Sequence, residues 1–544
     1  MVCSSRDARI AKNSRADSAA AVFRQRMRLR LFLPLLALLL AATASAADNV
    51  LLIILDDYGA DSSPLYNTNA AASFPPTPNI TALAQSGVVF QNAYAQPVCS
   101  PTRACLLTGR YSFRTGVGEA FVGSAAPLSA TEFTLPKAFA ANAALGYQCA
   151  QFGKWHLSNG QNAPRAIGGW PLFKGPIQGA LPDYINWTKV TCGTGIPATS
   201  ENVTTYATTE VANDAIAWIA DRDAAAQPWF AWVAFNAPHV PLHKPPNDLH
   251  SYDALSGTQA DINAQPRKYW EAMVEAADTE IGRLLRSVNR AKTNVIFIGD
   301  NGTAANTIQP PYSSAKAKDT LYEGGIKVPM FVSGPAVVGA PRTSSALVQA
   351  VDLYGTILEM AGVNVASTVP AGTTIDSRSL VPLLKNQTET TPRYAYADLF
   401  GTTILSNEGG QALRNGQFKL LRFEDRHEEF YDLLADPTET TALNVATLTA
   451  TQRANYYSLV LRLAKYQDTL ASPVVTANTL AASWSITVQR NSALTYTLWR
   501  STDFGELSWA PVSGATSATT ASAVTLTDPT PPAGKAFYVV LASE

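Results

Sequence analysis

Apolar residues along this chain gather into short unbroken runs that stop abruptly at polar ones. Asn49–Leu55 (NVLLIIL) ends in Asp56-Asp57-Tyr58-Gly59, and Tyr147–Phe152 runs into Gly153-Lys154-Trp155-His156-Leu157. Trp229–Phe235 is followed by Asn236-Ala237-Pro238-His239, and Asn294–Ile298 by Gly299-Asp300-Asn301-Gly302. Runs this short without polar alternation predict strands buried on both faces, as in a mostly parallel sheet covered by helices. Sites in such sheets lie beyond the carboxyl ends of the strands, so these four polar tails are expected to meet although far apart in sequence.

Other stretches carry helical or alternating patterns. Cys99-Ser100-Pro101-Thr102-Arg103 reads as a helix start, since proline suits the first turn and Ala104–Leu107 continue it. Cys99 then sits at a helix N-terminus, where the dipole favours a low-pKa nucleophile. Leu347–Ala361 has helical spacing, as does Thr449–Leu470, with Tyr456, Leu459, Leu463 and Tyr466 on one face. Gly160–Cys192 and Ser251–Arg267 read as irregular loops. From about Ser472 the chain is rich in Ser, Thr, Val and Ala and alternates apolar with polar residues, which predicts five or so short strands in a small β-sandwich.

Composition narrows the class. The 544 residues are 47% hydrophobic and 15% charged, with no bias that points to nucleic acid. Residues 1–46 differ from the rest: Arg24, Arg26, Arg28 and Arg30 precede the apolar run Leu31–Ala42, and Ala44-Ser45-Ala46 offers the small residues of a cleavage site. The run is too short to span a bilayer and predicts an export signal, with Met1 or Met27 as the start. A periplasmic or secreted protein with no membrane span after cleavage is therefore expected. Outside these residues 33 basic and 40 acidic side chains leave a net charge of about −7. Four cysteines remain (Cys99, Cys105, Cys149 and Cys192), too few for a disulfide framework; Cys149 with Cys192 is the one pairing to test.

Adjacent carboxylates at a buried strand end repel unless cations lie between them. Asp56 and Asp57 alone fit an Asp-rich turn. Together with Asp300 and Asn301 they make a set of oxygen donors suited to a hard divalent cation, calcium or magnesium. Two of the five histidines, His156 and His239, follow predicted strands directly, which with Lys154 favours a site.

The ordered set CSPTR–LLTGR, a first strand ending in Asp-Asp, GKWHL, APHVPL, GDNG and LYEGG resembles the sulfatases, the arylsulfatase-like branch of the alkaline phosphatase superfamily. It spans about Asn49–Leu443. The resemblance implies an α/β fold: a large, mostly parallel mixed sheet flanked by helices, a smaller α+β C-terminal subdomain, and here a terminal all-β module. Expected boundaries are 1–46 for the signal, 47–365 for the catalytic domain, 366–471 for the subdomain, recognised by Phe430–Glu439 (FYDLLADPTE), and 472–544 for the module. A spacer role is the first reading of that module, with carbohydrate binding and surface attachment open.

In this family the motif cysteine, here Cys99, becomes formylglycine through a formylglycine-generating enzyme. One oxygen of the hydrated aldehyde attacks sulfur and the alcohol leaves; the other lets the adduct collapse to aldehyde and sulfate. Asp56, Asp57, Asp300 and Asn301 match the ligands of Ca2+ (Mg2+ second), with modified Cys99 adding an oxygen. Arg103 matches the arginine on the hydrated aldehyde, Lys154 a sulfate-binding cation, and His156 the base for elimination. His239 matches the acid for the departing alcohol, with Lys318 beside it. Lys318 is chosen because the family lysine stands four residues before the Tyr of YEGG, here Tyr322; Lys316 is read as solvated. Gly324 and Gly325 are read as a tight turn near the pocket. Thr102 and Gly299 stand where Ser is commoner, and His243, without a family role, is read as surface-exposed. The implied substrate is a sulfate ester; export and the tail favour a sulfated carbohydrate. The alternative on the same scaffold is a phosphate or phosphonate ester hydrolase.

Overall fold

Ten strands form the central sheet: β1 (Asn49–Leu55), β2 (Gly87–Tyr94), β3 (Gln148–Gly153), β4 (Leu172–Gly175), β5 (Trp187–Gly193), β6 (Ile196–Val203), β7 (Trp229–Ala234), β8 (Thr293–Gly299), β9 (Met330–Ser333) and β10 (Arg342–Gln349). Their order is β10-β2-β9-β8-β1-β7-β3-β4-β5-β6. The computed structural model describes residues 48–466, 470–471, 483–492, 494–502, 507–532 and 536–543. The expected export signal lies outside the described residues, as does the start of the tail over 472–482.

The four apolar runs are neighbours, β8-β1-β7-β3, all parallel. Leu55 is level with Gly299, Ile54 with Ala234, and Ala234 with Gly153, so the polar tails leave the sheet at one height. Period 2 along β1 explains its unbroken apolarity. Val50, Leu52 and Ile54 pack with Leu106 and Leu107 of the helix Cys99–Thr108 and with Leu353 and Ile357 of the helix Asp352–Met360. Leu51, Ile53 and Leu55 pack with Ile219 of the helix Ala207–Ala224 and with Trp270 and Met273 of the helix Pro266–Ser287. All six are fully buried, each contributing roughly 1.5–3 kcal/mol.

Four expectations change. Leu347–Gln349 is not helical: it closes β10, paired with Asn92–Tyr94 of β2, and the helix begins at Asp352. Ladder pairing here overrides a 3.6-residue spacing. The stretch Gly160–Cys192 holds β4 and most of β5, which extend the sheet, and Ser251–Arg267 holds a helix, Gln259–Ala264. The helix expected to reach Leu470 is described over Ala450–Tyr466, while Leu470 belongs to a strand. All four cysteines are free and buried. Cys149 and Cys192 lie on β3 and β5 with β4 between them, and Cys192 is level through Phe173 with Gln151. The two are thus separated by two strand spacings, about 9–10 Å, and by two residues along the strand, beyond disulfide reach.

A second sheet, β11 (Ala395–Leu399), β12 (Gly410–Arg414), β13 (Phe418–Phe423) and β14 (Glu428–Asp432), is antiparallel. Leu459 and Leu463 of the helix Ala450–Tyr466 cover it, against Leu420 and Phe430. A buried ion pair and a buried hydrogen bond tie this region to the helical turn Glu323–Ile326: Lys419 Nζ lies 3.2 Å from Glu323 Oε1, and Glu323 N donates to Glu439 Oε2 at 2.6 Å.

The tail forms β15 (Leu470–Ala471), β16 (Trp484–Gln489), β17 (Thr495–Ser501), β18 (Ala510–Pro511), β19 (Thr516–Thr519), β20 (Ala523–Asp528) and β21 (Phe537–Ser543). The sheets β15-β21-β17-β18 and β16-β20-β19 enclose Ile486, Val488, Leu498, Leu526 and Val540, as a sandwich should. Trp499 is buried edge-on to Tyr457 with ring centres 5.0 Å apart, so the module packs on the subdomain helix. Among the described residues no helix is long and apolar enough to cross a membrane.

Asp398 of β11 gives this packing a pH dependence. It is buried, accepts from Phe113 N at 3.0 Å, and burial pushes its carboxyl up to about 7. The native state then holds a proton that the unfolded chain releases near pH 4. That contribution to stability is complete below about pH 4 and lost as pH rises through 7. Between pH 5 and 8 the Tm of the native protein is expected to fall relative to that of Asp398→Asn; parallel Tm curves would contradict this.

Candidate active site

Cys99 opens the helix that follows β2. Thr102 accepts from Gln96 N through its hydroxyl at 2.9 Å, which fastens the helix start. Cys99 is 1% exposed, and its Sγ lies 3.1 Å from His156 Nδ1. Burial pushes the thiol up, even though Lys154 and Lys318 draw it down. The helix start therefore does not give the low-pKa thiolate expected of it: in the unconverted cysteine, desolvation outweighs the pull of the two lysines.

His156 is held on three sides. Nε2 lies 3.2 Å from the Phe121 carbonyl and must donate to it, which leaves the Nδ1 lone pair facing residue 99. Ser100 Oγ donates to its carbonyl at 2.7 Å. Burial, then the nearby Lys154 and Arg103 charges, push the imidazole well below its ordinary value, so it is neutral. Its backbone has φ 55°, and that of Asp57 has φ 62°. Left-handed conformations in such residues cost of order 1–3 kcal/mol and recur where side chains are aimed for function.

The carboxylates beyond β1 and β8 interlock with three cations. Arg103 Nη2 donates to Asp300 Oδ2 at 2.7 Å and reaches Asp56 Oδ2 at 3.4 Å. Lys154 Nζ donates to Asp56 Oδ2 at 2.5 Å and Lys318 Nζ to Asp57 Oδ1 at 2.6 Å. Asn301 Nδ2 also donates to Asp57 Oδ1 at 2.8 Å, and Asp57 N to Asp300 Oδ1 at 3.1 Å. Burial alone would push Asp56 up, but Lys154, His239, Arg103 and Lys318 together hold it far below the carboxylate range. Burial and the Asp56 charge push Asp300 the other way.

Two buried oxygens here, Asp56 Oδ1 and Asn301 Oδ1, have no hydrogen-bond partner among the described residues. An unpaired buried oxygen costs about 1–3 kcal/mol, a cost that a cation bound between these two would remove. Carboxylate and amide oxygens suit calcium or magnesium. Asp56 and Asp57 oxygens and a ring nitrogen of His239 lie within 4.8 Å of one another. The four oxygen donors Asp56, Asp57, Asp300 and Asn301 therefore fit a hard divalent ion, with His239 at the edge of the set.

His239 sits four residues beyond Phe235, half-buried, with Nδ1 donating to Val240 O at 2.9 Å. Burial pushes it below its ordinary value, opposed by Asp57. All ten expected site residues are thus gathered at one end of the sheet. Gly299, where Ser is commoner, has no room for a side chain: a Cβ would lie 2.1 Å from Tyr58 O. Gly324 and Gly325 form a helical turn, Glu323–Ile326, and the expected close approach is real, with Gly302 N donating to Gly325 O at 2.8 Å. Two expectations are corrected. Lys316 is not solvated: its Nζ donates to the Glu439 carbonyl and lies 4.4 Å from the Tyr322 ring centre. His243 is half-buried, stacked on Tyr184 with ring centres 4.2 Å apart.

Tyr184 and Gly179 are missed from the sequence, because neither lies in a motif and both act through contacts only the fold creates. A Cβ at Gly179 would lie 2.3 Å from His156 Cε1 and Nε2. Gly179→Ala is therefore expected to push the imidazole off residue 99 and lower kcat by about 10- to 100-fold with little change in Tm; unchanged kcat would show that the ring tolerates the methyl.

A family model described as Sulfatase matches residues 48–363, and one for the N-sulphoglucosamine sulphohydrolase C-terminal region matches 316–465. The chain is 28% identical over 489 residues to a sulfatase of Formosa agariphila, covering 74% of this chain and 85% of that one. It is 28% identical over 407 residues to N-acetylgalactosamine-6-sulfatase of Canis lupus familiaris, covering 68% and 72%. The fold matches the crystal structure of Ps i-CgsB in complex with k-i-k-neocarrahexaose at TM-score 0.62 and 23% identity, over 77% of this chain and 92% of that one.

Proposed function

Since the chain belongs to the sulfatase family and so is a sulfuric ester hydrolase, we propose that it acts outside the cytoplasm on sulfate esters of glycans. It does so with formylglycine at position 99, made by a formylglycine-generating enzyme, and a divalent cation, calcium first. The observation that carries this reading is the cluster itself. Asp56, Asp57, Asp300 and Asn301 converge with two unpaired oxygens beside a buried residue 99 whose partner is a neutral histidine.

Hydrated formylglycine supplies a geminal diol, one hydroxyl to attack sulfur and one to release sulfate. Asp56, Asp57, Asp300 and Asn301 would hold the cation, which favours the ionised diol and draws in sulfate oxygens. Arg103, fixed by Asp300, presents its guanidinium to residue 99. Lys154, fully buried on Asp56, and Lys318, on Asp57, would meet the sulfate oxygens with positive charge. His156 holds an unprotonated Nδ1 at residue 99 and is ready to take the proton of the second hydroxyl. His239 donates to the leaving alcohol, because a bound sulfate adds negative charge beside the ring and raises its proton affinity.

Formal charge supports sulfate over phosphate. The three carboxylates balance Arg103, Lys154 and Lys318, so a divalent ion leaves +2. A sulfate monoester and one ionised diol oxygen match that charge, whereas a phosphate monoester dianion exceeds it. The glycan class draws on the printed names of relatives, N-acetylgalactosamine-6-sulfatase and a structure bound to neocarrahexaose. Rates on 4-nitrophenyl sulfate and 4-nitrophenyl phosphate, followed by sulfate release from a panel of sulfated polysaccharide fragments, test both parts. Preference for the phosphate would overturn the reading.

A further inference from the structure

His239 projects from an irregular turn, and its local bonds run to its own neighbours: its amide donates to Asn236 O at 2.8 Å and its Nδ1 to Val240 O at 2.9 Å. Among the described residues, the long-range hydrogen bond on its backbone comes from Tyr184, whose hydroxyl donates to the His239 carbonyl at 2.7 Å. Tyr184 is a rigid source for that bond. It is 2% exposed, and its own carbonyl accepts from Ala207 N at 2.8 Å, at the first residue of the helix Ala207–Ala224. His243 is stacked on the Tyr184 ring with centres 4.2 Å apart. Both His243 nitrogens are engaged. Nδ1 donates to Pro241 O at 3.0 Å, and Nε2, 3.1 Å from Tyr206 Oη, accepts from that hydroxyl. Five residues before Tyr184, Gly179 packs on the His156 ring, and Asn236 Nδ2 donates to its carbonyl at 3.3 Å.

We propose that the segment Pro176–Tyr184 aligns the two histidines, with Tyr184 the positioning residue for His239 and the His243–Tyr206 pair holding the Tyr184 ring. The proposal rests on the reading of His239 as the acid for the leaving alcohol. It joins two parts of the site that lie about 80 residues apart in sequence, through a segment that carries no motif. A tyrosine acting this way changes where the proton is delivered and leaves the nucleophile and cation ligands untouched. Its loss should therefore matter in proportion to how badly the leaving group needs that proton.

The test is kcat/KM of the full chain on 4-nitrophenyl sulfate, whose phenolate leaves unaided, and on phenyl sulfate, whose phenolate is more basic. Tyr184→Phe removes the hydroxyl and keeps the ring under His243. It is expected to stay within about 3-fold of the native enzyme on the nitrophenyl ester and to fall about 10- to 30-fold on the phenyl ester. His239→Ala run alongside should show the same bias more strongly, about 100-fold or more on the phenyl ester. Equal losses on both esters, or no loss, in Tyr184→Phe while His239→Ala keeps its bias would overturn the positioning role. Absence of bias in His239→Ala would overturn the acid reading itself. If Tyr184→Phe loses its melting transition, Tyr206→Phe, which frees His243 Nε2 without touching His239, carries the same test. It should show the same bias at about 3-fold, and its absence there would overturn the proposal.

Discussion

Changing Cys99 to serine is expected to lower sulfate ester turnover by at least about 10^4-fold while leaving the melting transition and the α/β fold intact. The structural side follows from the site of the change. Residue 99 is 1% exposed, and its side chain hydrogen-bonds to His156 Nδ1 at 3.1 Å. A serine hydroxyl donates to the same nitrogen, so no buried polar atom is left without a partner. The chemical side follows from the thiol's state. Burial pushes the unconverted thiol up, away from an activated thiolate, and the serine that replaces it lacks the second hydroxyl that the release of sulfate requires. Steady-state rates on 4-nitrophenyl sulfate with Tm measured in parallel check this. Retention of more than a few per cent of activity would mean that residue 99 does not carry the reaction.

Removal of divalent cations has the second large effect. Chelation is expected to reduce activity by about 100-fold or more, restored by Ca2+ and less well by Mg2+. Asp56 Oδ1 and Asn301 Oδ1 lie buried without partners, and the three carboxylates around them are packed closely enough for burial and mutual repulsion to push Asp300 up. An ion relieves both, so it should also stabilise the fold: at a hundred times its Kd the gain is about 2.7 kcal/mol by mass action. Tm should therefore rise with added Ca2+ and fall with chelator. Activity and Tm both indifferent to chelation, with no metal by elemental analysis, would remove the cation from the account.

Much of the site was legible because its chemistry sits where apolar runs end. Asp56, Asp57, Lys154, Asp300 and Asn301 follow strands whose unbroken apolarity marks burial on both faces, and parallel register brings such ends level. Lys318 needed the family spacing to Tyr322, since neither Lys316 nor Lys318 belongs to a strand end. Elements set by tertiary pairing were less legible. Leu347–Gln349 looks helical alone but joins β2 in a ladder, and β4 and β5 hide in a stretch whose Gly, Pro and Trp content suggests a loop. Tyr184, Gly179 and His243 carry no local signal, because each matters only through a residue that folding brings against it. Cys99 shows the opposite failure. Its helix start was read correctly, while the protonation state inferred from it was reversed by burial, which sequence position does not report.

The most direct test of the central claim is peptide mass spectrometry across Cys99–Arg103, on active protein from a host that contains a formylglycine-generating enzyme. Residue 99 should be found as the aldehyde, lighter than cysteine, in a fraction that tracks specific activity from one preparation to the next. Fully active protein in which residue 99 is entirely thiol would contradict it.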